Sequence, residues 1–445
     1  MKRRPILTVP TPFRSLTGLY GPIALIVAVM TFAVVMDWRP FQGDDRSTLL
    51  SPAFDPDKIE ALVVLPYPDG NGPRAHYVEH LAWLPNIGKD SRPEDRDSNA
   101  WTNRFAVGYW LAGPPGDLTD MLRRLKGVFD PIDLPRNMAE SERDVILREY
   151  DLRVGNNPDA RAAEEMEAFL YEGNAIAASV IGTPEQIRAQ TYDDARAFHA
   201  ETHRPDRARL VVFGEIPERQ LTDAMDDAGF PDLYAQREDI APPRFVLGAV
   251  GMRSFRYPDP NAAPRMIWRK VVALPEPVDF DLLEAQSALA RDILDTNLPG
   301  GLAGPLRFDA FVVQSFGIAI TPVDESHIEL TFSAEPDRGI GFAKVQSAYE
   351  AALAASAKGV PARTYDRVRE RFKGFWPDWS DDDETARWMA DRTLARVTAL
   401  RDPKPEREIR KVDALIDAAG IDAILAALAG PGRTAIAFIG TDPNP

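Results

Sequence analysis

The residues whose types and spacing could do chemistry are His76, Glu79 and His80, in the run His-Tyr-Val-Glu-His. On a helix, positions i and i+4 share one face about a turn apart, so both imidazoles can reach one metal ion. Glu79 lies at i+3 on that face, close enough to a water held there to take its proton. Zinc suits nitrogen and oxygen ligands, and a catalytic zinc needs a third protein ligand plus an open position. Histidine is scarce in this chain, which holds only five, at 76, 80, 199, 203 and 327. That scarcity makes a chance match to this spacing improbable.

A third ligand must come from another element. A helix expected over residues 137–154 carries Glu142 and Glu149 two turns apart on one face. The apolar run ahead of Glu149 packs that helix on a core. Either glutamate could complete a metal site, and either could belong to a solvated acidic face.

The elements that position these groups can be read along the chain. Ile59–Tyr67 (IEALVVLPY) has strand length and ends in the turn signal PDGNGP, after which a helix is expected from about 74 to 84. Residues 97–111 carry aromatic and β-branched side chains at strand-like spacing. Helices are expected at 117–129, 159–171 and 191–202, and a buried strand at 209–213. In the second half, strands are expected at 268–273, 316–320 and 327–332, and helices at 280–297, 341–357 and 362–375. The run Asp381–Glu384 reads as a helix N-terminal cap, and Trp376 and Trp379 as loop anchors. Two short stretches echo one another, RARLVVFG at 207–214 and RTAIAFIG at 433–440. Each is an apolar strand closed by glycine at the end of its half, as two related halves require.

Residues 15–36 hold no charge and are long enough to cross a hydrocarbon core as a helix. Lys2, Arg3, Arg4 and Arg14 precede the run and no positive excess follows it. The positive-inside rule then puts the N-terminus in the cytoplasm and the bulk outside, periplasmic in a bacterium. The organisation expected is a basic segment (1–14), a transmembrane anchor (15–38), a tether (39–55), a metal-binding domain (56–235) and a second domain (236–445). At 445 residues, 44% hydrophobic and without cysteine, the chain can build cores without disulfides, and a thiolate ligand or nucleophile is excluded. The net charge of -16 argues against a nucleic-acid partner.

Four stretches resemble the pitrilysin/insulinase-type metallopeptidases, which carry the H-x-x-E-H order and include the mitochondrial processing peptidase. They are AHYVEHLAW (75–83), SNAWTNRFAVGYW (98–110), ESERDVILREYDLRVGNNPDAR (140–161) and IGTPEQIRAQTYDDARAFHAETHRPDRARLVVFGEI (181–216). The resemblance implies one zinc per chain on His76, His80 and Glu149, with Glu79 as base and Glu142 in an auxiliary role. It places His199 and His203 outside the site. It implies an α+β fold of two homologous domains, each an antiparallel-rich sheet covered by helices. An extended peptide substrate is then expected to add as a strand at Asn99, Ala100 and Trp101.

Two departures bear on function. The Gly-Thr pair often found after the zinc helix is replaced by WLPNIGKDSRPED. The second domain of active relatives often carries an Arg and a Tyr that bind substrate, whereas here Phe316 and Ile320 stand in the matching stretch. A zinc-less related subunit that supplies those groups is therefore the expected partner, with a homodimer as the alternative. The rival from another class is a non-catalytic peptide-binding or scaffold subunit.

Overall fold

The computed structural model describes residues 47–55, 57–68, 70–86, 98–231, 233, 242 and 244–444. The segment expected to span a membrane, 15–38, lies outside them. Among the described residues no helix is long and apolar enough to cross a membrane.

Two five-stranded sheets organise the molecule. The first comprises β1 (Thr48–Ser51), β2 (Ile59–Pro66), β3 (Ser98–Thr102), β4 (Ala106–Gly113) and β5 (Arg209–Phe213), in the order β1-β5-β2-β4-β3. The second comprises β6 (Gly251–Tyr257), β7 (Arg265–Ala273), β8 (Val313–Asp324), β9 (His327–Pro336) and β10 (Arg433–Ile439), in the order β6-β10-β7-β9-β8. The two orders correspond strand for strand. Each sheet is antiparallel except at one edge, where β1 runs parallel to β5 and β6 runs parallel to β10. The echoing stretches at 207–214 and 433–440 contain β5 and β10, which hold equivalent places. Residues 48–51, expected in the tether, instead form β1, because their backbone pairs with Leu210–Phe213. Residues 98–111 fold as a hairpin, the turn being set by the Asn103 side chain, whose oxygen accepts from the backbone N–H of Phe105 and of Ala106 (both 2.8 Å).

The helices of the first half are α1 (Gly72–Trp83), α2 (Leu118–Lys126), α3 (Arg136–Tyr150), α4 (Pro158–Leu170), α5 (Pro184–Ala189), α6 (Tyr192–Thr202) and α7 (Glu218–Ala228). Those of the second half are α8 (Phe280–Leu294), α9 (Phe342–Ser356), α10 (Ala362–Arg371), α11 (Asp382–Thr398), α12 (Glu406–Leu415) and α13 (Ala418–Ala429). Asp381 caps α11 by accepting from the N–H of Asp383 and of Glu384 (3.0 Å each). Trp376 is buried against Trp379 and Trp388, an anchor of the connection into α11.

The halves exchange helices. Leu62, Val64, Val211 and Phe213, on the outer face of the first sheet, pack against Ala390, Leu394 and Val397 of α11. Ala162, Met166 and Leu170 of α4 pack in turn on Val271, Ala435, Ala437 and Ile439 of the second sheet. This explains the uniformly apolar run of β2. Ala61, Val63 and Leu65 face the first half's own helices while Leu62 and Val64 face α11, so neither face meets water. Each large apolar side chain removed from water in this exchange contributes roughly 1.5–3 kcal/mol, so the halves are bound as one body.

One half-buried group works against that packing. The Oδ1 atom of Asp391 on α11 has no hydrogen-bond partner, and burial pushes its carboxyl up to about 6. The folded state therefore holds the proton more tightly than the unfolded chain, and stability falls as pH rises from about 4 through 6. Asp391→Asn is expected to stabilise the protein at pH 7 by on the order of 1 kcal/mol, after discounting for solvent screening. The gain should vanish near pH 4. Thermal melts of both forms at the two pH values check this.

Candidate metal centre

α1 begins at Gly72, where a Cβ would come within 2.7 Å of the Ser179 carbonyl oxygen, so only glycine permits that close approach. Ala75, Val78, Leu81 and Ala82 follow at helical spacing and are buried in the first core. The adjoining stripe is His76, Glu79 and His80. α1 packs beside β3, α3 and α6. The Tyr77 hydroxyl donates to the Ala139 carbonyl (2.7 Å), which ties α1 to α3. On α3, Ala139 and Ile146 are buried, and Glu142 and Glu149 share their stripe at the same seven-residue spacing. Packing the apolar stripe of α3 therefore carries both glutamates towards the histidines.

Glu149 Oε2 lies 3.6 Å from His76 Nε2 and 3.6 Å from His80 Nε2. Ligand atoms bonded at about 2.05 Å in a tetrahedral zinc site stand about 3.4 Å apart, so this spacing fits an ion between them. Among the described residues this is the group able to hold a metal. His80 Nδ1 is 3.1 Å from Glu142 Oε2. That contact fixes the Nδ1–H tautomer and turns the Nε2 lone pair towards Glu149. His76 Nδ1 is buried without a partner, so packing alone orients that ring. Glu149 also pairs with Arg153 (2.8 Å).

The electrostatics are uneven. Burial, helped by neighbouring His80, lowers His76 to about 4. Burial alone would lower His80, but Glu142 and Glu149 outweigh it and raise the ring to about 9. Burial would raise Glu149, yet its contacts with His80, His76 and Arg153 bring it below its ordinary value. The carboxylates that favour a proton on His80 equally favour a dication among the ligand atoms. Glu79 is 8% exposed, and burial pushes it up to about 7, opposed by His80 and by a hydrogen bond from Thr102. A carboxyl poised near neutrality can both take and return a proton.

Thr102 Oγ donates to Glu79 Oε2 at 2.8 Å, a contact that motif reading missed. Its signal was the strand parity of β3, since Ala100 and Thr102 share the face towards α1. Ala100 packs on that core. Trp101 does not face the site. It covers Gly108 on the opposite face, among the residues that meet α11, because successive strand side chains alternate. Asn99 is exposed and its side chain accepts from the Ala100 N–H (2.9 Å). On β3, Ala100 and Thr102 thus share the face towards α1, and Asn99 and Trp101 alternate with them. His199 and His203 are stacked in the interior, His199 on the Val128 carbonyl (2.9 Å) and His203 on the Tyr109 hydroxyl (2.8 Å).

In the second sheet α8 takes the place of α1 and contains no histidine. Phe316 packs tilted against Phe332 with ring centroids 5.8 Å apart, and Ile320 is buried.

No family model matches the chain. The beta subunit of the mitochondrial-processing peptidase of Schizosaccharomyces pombe is 24% identical over 207 residues, 43% of this chain and 45% of that protein. An uncharacterized zinc protease of Mycobacterium leprae is 28% identical over 190 residues, 40% of this chain and 41% of that protein. These matches span less than half of each relative. Among solved structures, the first half of the periplasmic protease PqqL from Escherichia coli aligns with a TM-score of 0.71 at 14% identity, over 92% of this chain and 93% of that one. The M16 peptidase inactive domain from Pseudomonas fluorescens aligns at 0.69 and 12%, over 91% and 98%. The fold is the pitrilysin-type peptidase fold.

Proposed function

We propose that this chain is a zinc-dependent endopeptidase that cleaves extended peptides or unfolded protein segments. The observation that carries the reading is the convergence of two imidazole nitrogens and Glu149 beside a buried Glu79 that Thr102 holds. His76, His80 and Glu149 would hold the ion, which when bound polarises a scissile carbonyl and acidifies water. Glu79 takes the proton from the attacking water and returns it to the leaving amine. Thr102 occupies one Glu79 oxygen and leaves the other for that proton. Among the described residues β3 pairs with β4 alone, and its second edge can receive a peptide backbone as an added strand.

The partner we propose is a related subunit without H-x-x-E-H. Phe316 and Ile320 cannot donate side-chain hydrogen bonds to a substrate carbonyl or to developing charge, and a zinc-less subunit with an Arg and a Tyr would. The Schizosaccharomyces pombe relative is itself a subunit by name, which favours a heteromer. The test is to purify the full chain alone and measure its zinc, its chelator-sensitive cleavage of unfolded peptides and its size. Weak turnover with zinc bound is expected, rising when the partner is added. High activity as a monomer or as a homodimer overturns the partner. Zinc without turnover in any assembly favours the non-catalytic subunit instead. The anchor at 15–38 puts the peptidase outside the cytoplasm, so protease added to spheroplasts should digest the bulk; full protection before lysis overturns that placement.

A further inference from the structure

The turn between β3 and β4 is held more firmly than a surface hairpin needs. The Tyr67 hydroxyl donates to the Asn103 carbonyl, and Asn103 Nδ2 donates to the Thr398 carbonyl of α11 (2.8 Å). Beside Asn103, Arg104 forks. One guanidinium nitrogen donates to the Ile176 carbonyl and the other pairs with Glu167 of α4. Glu167 also receives Arg269 Nη1 of β7 at 2.9 Å. Arg269 then grips Glu329 of β9 through Nε (2.6 Å) and Nη2 (3.0 Å), and Glu329 accepts from Tyr171 and from Thr331. Two arginines and two glutamates thus form a neutral, half-buried chain from the hairpin turn into the second sheet, with Glu329 buried at its end.

The far end of that turn is Thr102, two residues before Arg104, whose hydroxyl meets Glu79 at 2.8 Å. Among the described residues β3 has a single strand neighbour, β4, so no second strand fixes its position. The placement of Thr102 therefore depends on β4 and on the turn. We propose that Arg104 is a positioning residue: by bridging Glu167 and the Ile176 carbonyl it fixes the β3–β4 turn on α4, which packs on the second sheet, and so holds Thr102 against Glu79. A guanidinium suits this task because its planar fork reaches two acceptors at once, which an ammonium does not do with the same geometry. The second half, whose α8 carries no histidine, thereby acts on the metal-binding half through this ion chain and α4. This inference rests on Glu79 being the base.

The experiment compares Arg104→Gln with the parent by hydrogen exchange and kinetics, at a temperature well below both melting points. Amides of residues 98–106 should exchange about tenfold faster or more, while those of α1 keep their protection. Zinc content should stay at the parent level, and kcat should fall about tenfold. In a Thr102→Val background the same change should lower kcat less than about twofold further, because the contact through which Arg104 acts is already gone. A merely structural arginine would lower the melting point and show equal losses in both backgrounds. Equal losses, or unchanged exchange at 98–106, overturn the proposal. If Arg104→Gln does not fold, Arg104→Lys keeps the charge without the fork. It should show the same pattern at smaller size, and parent-like exchange in it also overturns the proposal. A parent chain that cleaves nothing sinks the peptidase reading, and the exchange measurement then decides whether Arg104 holds β3.

Discussion

Glu79→Gln is expected to keep its metal and lose peptide cleavage by about 10³- to 10⁴-fold, near the upper end of what a positioned general base contributes. The substitution is nearly isosteric, and an amide can still accept the Thr102 hydrogen bond. His76, His80 and Glu149 remain, so the ligand set is unchanged. What disappears is a carboxyl that burial has brought near neutrality and that Thr102 holds on β3. Removing the buried, raised carboxyl also relieves a desolvation cost, so the variant should melt no lower than the parent. Zinc analysis, a melt and a cleavage assay on one preparation check all three. Cleavage at the parent rate by a zinc-loaded variant would remove Glu79 from the mechanism.

The site was legible where chemistry and helical period coincide. His76, Glu79 and His80 needed only a helix, and α1 forms because a glycine-proline start leads into apolar residues at helical spacing. Glu149 could not be separated from Glu142 by spacing alone, since both lie on the buried stripe of α3. The distinction is one of reach: Glu149 lies against both Nε2 atoms, whereas Glu142 lies behind His80 at Nδ1. Strand parity was the weaker signal. A five-residue edge strand alternates too briefly to say which face is the site, so Trp101 drew attention that belonged to Thr102. The largely apolar runs of β2, β5 and β10 did read as strands, and in the structure both of their faces are covered. Their sequence could not say that the second cover comes from the other half, because that depends on contacts between α4 or α11 and strands far away in the chain. β1 and β6 escaped for a related reason: each is a parallel edge strand, defined by its pairing with β5 or β10 rather than by its own pattern.

Glu149→Gln and Glu142→Gln should therefore separate binding from orientation. Glu149 contributes the charged oxygen that faces both imidazoles, and it is held below its ordinary carboxyl value by His80, His76 and Arg153 against the effect of burial. Its amide would leave two neutral imidazoles and no charge in the ligand set, so the variant should purify with little or no zinc and no cleavage. Glu142 acts one shell further out. Its loss frees the His80 ring to turn and weakens the basicity of Nε2, which typically costs 10- to 100-fold in metal affinity or activity. With excess zinc, Glu142→Gln should bind metal fully and regain much of its turnover, while Glu149→Gln should not. The asymmetry of the two histidines sharpens the expectation. His76 Nδ1 has no partner and is oriented by packing, so Glu142 is the group that sets a ring tautomer by hydrogen bonding at this site. Competition with a fluorescent zinc chelator gives both affinities directly. Normal affinity in Glu149→Gln together with loss in Glu142→Gln would exchange the two roles, and would mean that α3 presents its other glutamate to the metal.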